Sequence, residues 1–383
     1  MDLARTLDLG ALLEKKSFFL FGPRATGKSF LIDRTLATKA VVVDLLRSDM
    51  LLRLAAAPHL LEGMIDASPQ AASRVVVIDE IQKLPSLLDE VHRLIERRNL
   101  RFLLTGSSAR KLRRGAANLL AGRAWHAELF PLTSVELPTF DLDRYLRFGG
   151  LPAVALSPDP AEELHAYVRT YLYEEIQAEG LVRKLPLFSR FLLAAALTNG
   201  QMVNFAQVAS DSGVPASTVR EYYGILEDTL VGFMLRPWTK SQKRQAISTA
   251  KFFLFDTGVA HAIAGTQSID RNSDLYGRSF EHFVAMELRA FLSYRRNRLP
   301  LSYWRSKHGH EVDFMVGDDT AIEVKATRHI VDRDLRGVKA LKEERLVKRF
   351  FVVSQDDIET TRDGIACVNW RTFLERLWAG RIV

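Results

Sequence analysis

The sequence predicts an α/β multidomain protein: a P-loop, parallel-sheet domain, then a helical lid, a winged helix-turn-helix, and a second α/β domain at the carboxyl end. Three observations carry that reading. Residues 17–29, SFFLFGPRATGKS, are a short apolar strand opening onto a glycine loop. Residues 74–80, RVVVIDE, form a strand apolar on both faces that ends in two carboxylates, as in a parallel sheet covered by helices. Beyond residue 300, two strand patterns joined at Gly317-Asp318-Asp319 carry Asp313, Glu323 and Lys325.

In the first motif, Gly22-x-x-x-x-Gly27-Lys28-Ser29, the glycines permit a tight turn with backbone N–H groups aimed at phosphate. Gly22, Pro23, Arg24, Ala25, Thr26, Gly27, Lys28 and Ser29 are the expected cofactor-binding residues, with Lys28 reaching the β- and γ-phosphates and Ser29 ligating Mg²⁺. Asp79 is expected to hold the Mg²⁺ shell and Glu80 to polarise the attacking water. The alternative is two acids that merely open a loop. The strand Leu100–Gly106 runs into Ser107 and Ser108, so Thr105 or Ser107 senses the nucleotide state or orients the attacking water, the alternative being a Ser-capped helix start. Strands at Val41–Asp44 and Trp125–Phe130 complete a five-stranded parallel core.

A chain of 383 residues, 47% hydrophobic and 26% charged, is ordinary globular material for two to four domains. No run approaches the roughly twenty apolar residues of a membrane span, and MDLARTLDLG lacks a signal peptide's apolar core. A cytoplasmic protein is expected. Cys367 has no disulfide partner and reads as a buried thiol. Net charge of +7 favours an anionic partner. Arg333, Arg336, Lys339, Lys342, Arg345, Lys348 and Arg349 recur at helical spacing, either a nucleic-acid face or a solvated one.

The P-loop domain is placed at residues 1–137 and a helical lid at 138–186, with FGGLP at Phe148–Pro152 followed by the helical spacing of Ala161–Leu181. Residues 187–265 read as a winged helix: three helices, a turn at Gly213, Pro215 at the start of the third, and strands around Phe233–Trp238 and Lys251–Phe255. Its third helix would expose Ser217, Thr218 and Arg220 to DNA, or the module serves protein contact. Residues 266–383 hold the second α/β domain.

In that last domain Asp313 ends one strand pattern, and Glu323 and Lys325 share a face of the next. Asp313 and Glu323 could share a divalent metal, with Glu281 completing the acidic cluster and Lys325 orienting or deprotonating water, the equipment of metal-assisted phosphodiester hydrolysis. The spacing Asp313-x₉-Glu323-x-Lys325 resembles the PD-(D/E)xK nuclease fold, with Val312 where that motif often has proline. His308 and His310 read as loop residues rather than ligands.

The motifs GPRATGKS, VVVIDEIQKLP, LLTGSSARKL, AGRAWHAELFPLT, LRFGGLP, EVDFMV and AIEVKA resemble a prokaryotic family of AAA-type (AAA+) ATPases with a C-terminal domain of unknown function. The resemblance spans nearly the whole chain and implies an ATP-binding domain, a winged helix and a nuclease-like terminal domain. Ala25 stands where members commonly have glutamine. It also implies a homo-oligomer whose site is completed by an arginine in trans, Arg123 first, then Arg110 or Arg113, worth roughly 10³-fold or more in rate. The alternative for each is a pair with a surface acid. The expected function is an ATP- and Mg²⁺-dependent ATPase for DNA processing or defence, with DNA as partner and a second Mg²⁺ or Mn²⁺ in a possible nuclease site. The rival is a nucleotide-regulated switch whose winged-helix and nuclease-like domains are catalytically inactive protein-interaction modules, and a third is a transcription regulator.

Overall fold

In a computed structural model that describes residues 3–106, 120–172 and 185–383, the chain builds two sheets. The first contains β1 (Ser17–Phe21), β2 (Val41–Asp44), β3 (Val75–Asp79), β4 (Arg101–Gly106) and β5 (Ala124–Glu128). Its order is β2-β3-β4-β1-β5 and all pairings are parallel. The order has a chemical consequence: β4 lies between β1 and β3, so the glycine loop, Thr105 and Asp79 emerge from adjacent strand ends. Phe18 and Leu20 face one core and Phe19 and Phe21 another, the period of two expected of a strand buried on both sides.

The second sheet adds β6 (Gly232–Pro237), β7 (Lys251–Leu254), β8 (Leu301–Arg305), β9 (Glu311–Val316), β10 (Thr320–Lys325), β11 (Arg349–Ser354), β12 (Thr360–Arg362) and β13 (Ile365–Asn369). Its order is β12-β13-β11-β10-β9-β8-β6-β7. The strand pair expected as a wing, β6 and β7, is antiparallel, but β6 also pairs with β8. The boundary drawn at residue 265 therefore crosses one continuous sheet. Burial explains the union: Phe252 and Leu254 pack toward the helices, while Leu235 and Phe253 join the core beneath the sheet. That same core holds Phe18, Leu20, Phe283 and Trp370, so the first and last parts of the chain bury a common interior.

Between the sheets run helices Leu142–Phe148, Pro152–Leu156 and Pro160–Ala166, the last continuing as a π-turn over Tyr167–Leu172. Ile176 and the rest of the lid helix expected to Leu181 lie outside the described residues. Helices Leu185–Leu197, Phe205–Ser212 and Ala216–Asp228 follow, the last two joined at Gly213, whose φ of 63° is left-handed. Ser217 and Arg220 are exposed and Thr218 is half-buried.

The basic series near the carboxyl end does not form one helical face. The helix spans only Arg336–Lys342, buries Val338 and Leu341, and gives way at Arg345, whose φ is 60°. The turn is needed because Arg349 must begin β11 alongside β10. Lys339 meanwhile pairs with Asp363 at 2.9 Å. Among the described residues no helix is long and apolar enough to cross a membrane.

Candidate nucleotide site and C-terminal carboxylate pocket

The glycine loop closes as the motif requires. Gly27, at φ 90°, caps the helix Lys28–Leu36 in a conformation that favours glycine. A Cβ on Gly22 would sit 2.5 Å from the Leu129 carbonyl oxygen, so the chain following β5 forbids any side chain there. Buried Lys28 donates from Nζ to the Gly22 and Pro23 carbonyls at 2.8 and 3.1 Å. Thr26 Oγ1 donates to Pro23 O at 2.9 Å and braces the loop.

Ser29 Oγ donates to Asp79 Oδ2 at 2.9 Å, which brings together a hydroxyl and a carboxylate oxygen suited to a hard cation. Thr105 Oγ1 donates to the other Asp79 oxygen and accepts from Glu80 N at 3.1 Å. Thr105 thus fixes both acids. Glu80 has a left-handed φ of 61°, uncommon for a residue with a side chain, and its carboxylate accepts from Gln82 Nε2. Burial raises the Glu80 carboxyl above its ordinary value, against the lowering pull of Lys28. Gln82 escaped sequence reasoning, although it stands two residues after Glu80. Ser107, Arg110 and Arg113 lie outside the described residues.

Arg123 is placed elsewhere. It directly precedes β5, whose Ala124 is level with Ser17, while the glycine loop follows Phe21. The rise of β1 separates the two ends by about 13 Å. Its Nε pairs with Glu96 at 2.6 Å.

A buried polar strut, also unseen in the sequence, ties the loop to the C-terminal segment. Arg5 donates to Thr26 O at 2.8 Å, to Phe130 O at 2.6 Å and to Tyr294 Oη at 3.2 Å, and pairs with Glu136 at 3.1 Å. Tyr294 ends the helix Asp274–Tyr294, on which Glu287 accepts from Ser134 N at 2.6 Å and Trp378 Nε1 at 2.7 Å. Burial pushes the Glu287 carboxyl up to about 7. The FGGLP segment has its own reason. Gly150 N donates to buried Asp256 at 2.8 Å, and a Cβ on Gly149 would fall 2.0 Å from the same carboxylate.

The C-terminal carboxylates meet, but around a lysine. Ile322 faces Phe314 across β9 and β10, so Glu323 comes level with Asp313. Asp313 Oδ2 accepts from Val324 N at 2.8 Å, and Glu323 takes the Lys325 ammonium. Lys251 of β7, which sequence reasoning left as part of a wing, lies 2.8 Å from Glu281, 2.6 Å from Glu311 and 3.8 Å from Asp313. Burial alone would lower the Lys251 pKa, but the three carboxylates raise it above its ordinary value. Burial pushes Glu281 up to about 7 against the opposing pull of Lys251. Glu323 is raised well above the carboxylate range, by burial first and Asp313 second. Among the described residues no group of three His, Cys, Asp or Glu side chains is placed to hold a metal ion. Glu281, Asp313 and Lys325 line an open groove of about 1130 Å³ whose walls include Arg278, Arg328 and Arg333. His308 is exposed in the turn before β9.

Comparison with known proteins bears on each part. Residues 14–137 match a family model described as AAA domain. The amino-terminal part is an AAA-type, P-loop nucleotide-binding domain. Residues 139–270 and 276–373 each match a domain of unknown function, DUF8612 and DUF4143. An uncharacterised protein of Mycobacterium tuberculosis is 31% identical over 266 residues, 67% of this chain and 59% of that protein. One of Haemophilus influenzae is 25% identical over 231 residues, 55% of this chain and 56% of its own length. The chain therefore spans less than two thirds of these relatives. The Aeropyrum pernix ORC1 protein in complex with DNA superimposes loosely, at a TM-score of 0.27 and 13% identity over 65% of this chain and 86% of that one.

Proposed function

We propose that the chain binds and hydrolyses ATP at the glycine loop and thereby controls a C-terminal segment whose basic groove takes a nucleic-acid backbone. The observation that carries the reading is the set Lys28, Ser29, Asp79, Glu80 and Thr105 on three adjacent strand ends. Lys28 would neutralise the β- and γ-phosphates. Glu80, held by Gln82 and raised by burial, would orient the attacking water and accept its proton. Ser29 and Asp79 would hold Mg²⁺, which supplies charge neutralisation on the phosphates. The Arg5 strut gives the loop a direct path to the helix Asp274–Tyr294.

Nucleic-acid contact draws on the groove's arginines and on a helix-turn-helix of winged type whose Ser217 and Arg220 are exposed. Binding of nucleic acid without cutting is favoured over cleavage by the Lys251 ammonium among the carboxylates.

Lys28→Ala should abolish nucleotide binding. Glu80→Gln should keep it and lose turnover by about 10²-fold or more. ATP hydrolysis by Glu80→Gln at the wild-type rate would overturn the assignment. DNA binding that weakens steeply with salt, and weakens further in Arg278→Ala/Arg328→Ala, should accompany it.

A further inference from the structure

The carboxylates of the C-terminal pocket carry their own cation. Lys251 reaches them from β7, the strand that the parallel pairing of β6 with β8 draws into the sheet. Its ammonium lies within 3 Å of both Glu281 and Glu311 and 3.8 Å from Asp313, under the Tyr303 ring at 5.3 Å. Two further cations beside these carboxylates are also spoken for. Arg305 pairs with Glu311 at 2.9 Å, and Lys325 with Glu323. Each of these four acids therefore already has a positive group beside it.

We propose that Lys251 occupies the position a divalent metal would take, so that the terminal domain is a metal-independent module and its groove binds phosphate backbone without hydrolysing it. A metal ion could enter only by separating the ammonium from its carboxylates. Lys251 is 4% exposed, and a charge stranded there would retain its full desolvation penalty. Escape would require moving β7, whose neighbours Phe252 and Phe253 are fully buried on opposite sides. The inference is independent of ATP hydrolysis, because no residue of the glycine loop enters it.

The test is Mn²⁺ binding to the nucleotide-free full chain, read by loss of the free-ion paramagnetic resonance signal. Wild type and Asp313→Asn should bind the same amount. Lys251→Met should bind one additional Mn²⁺ per chain, and Lys251→Met/Asp313→Asn should lose it again. Binding of one more ion by wild type than by Asp313→Asn would overturn the proposal. A Lys251→Met protein folded by circular dichroism and gaining no ion would overturn it too. Should Lys251→Met fail to fold, the comparison of wild type with Asp313→Asn decides alone.

Discussion

Glu136→Ala should be among the most damaging single changes in the chain, although Glu136 touches neither the glycine loop nor the groove. Its carboxylate and the Arg5 guanidinium are 1% and 3% exposed and 3.1 Å apart. The same carboxylate accepts from Thr6 N at 2.7 Å and Thr133 N at 3.0 Å. Removing one partner of a buried pair costs about 3–5 kcal/mol, because a charge is left uncompensated. Each orphaned buried amide adds about 1–3 kcal/mol in isolation. These terms share a site and do not sum, so about 3 kcal/mol is the floor. Arg5→Met should also be damaging: Glu136 would keep both amide donors, but its charge and the carbonyls of Thr26 and Phe130 would lose their partner. The double variant Arg5→Met/Glu136→Ala should not return to wild type, because Thr6 and Thr133 would still lack their acceptor. Urea unfolding followed by tryptophan fluorescence measures the series. A Glu136→Ala protein within 1 kcal/mol of wild type, or a double variant fully restored, would refute this account of the strut.

The remaining expectations concern pH and assembly. His282 donates from Nε2 to Leu254 O at 2.7 Å and receives Asn199 at Nδ1 at 3.1 Å, a neutral tautomer, and burial lowers its pKa to about 3. Below about pH 6.5 the unfolded imidazole binds a proton the folded one refuses, so stability should fall by about 1.4 kcal/mol per pH unit toward pH 3. His282→Gln should lose that slope; the difference between the two urea-midpoint profiles isolates it, since buried Glu287 and Asp256, which are raised and act in the opposite sense, are common to both. A difference flat between pH 4 and 6.5 would refute it. Because Arg123 lies at the amino end of β1, it can serve a phosphate only in another subunit, and mixing Arg123→Ala with Glu80→Gln should restore hydrolysis that neither has alone. Failure of the mixture to regain activity removes Arg123 from the site.

The parts legible in the sequence are those whose chemistry is local. Gly22 to Ser29 are consecutive, and Asp79 and Glu80 terminate an unmistakable apolar strand, so motif and periodicity found them. Asp313, Glu323 and Lys325 were found by alternation along a hairpin. Lys251 was not, because its relation to Glu281 and Glu311 is created by a pairing of β6 with β8 that no local pattern encodes. Arg5 and Glu136 stand far apart in the chain and meet only in the folded interior. The basic series near the carboxyl end misled for the converse reason. Its helical spacing continues through Arg345 and Arg349, but the chain turns there to build β11.

One helix draws these findings together. On the helix Asp274–Tyr294, Glu281 faces Lys251, Glu287 holds Ser134 N and the Trp378 indole, and Tyr294 meets Arg5 and accepts from Phe130 N at 3.1 Å. From Glu281 to Tyr294 the helix rises about 20 Å. Its interior side is close-packed through Phe280, Phe283, Val284, Leu288 and Phe291, so it can shift only as a body. Any displacement of the Thr26 carbonyl pulls on Arg5, and Arg5 cannot follow without disturbing Tyr294 or leaving Glu136. The glycine loop, through Arg5, and the carboxylate pocket, through Glu281, both rest on this one helix.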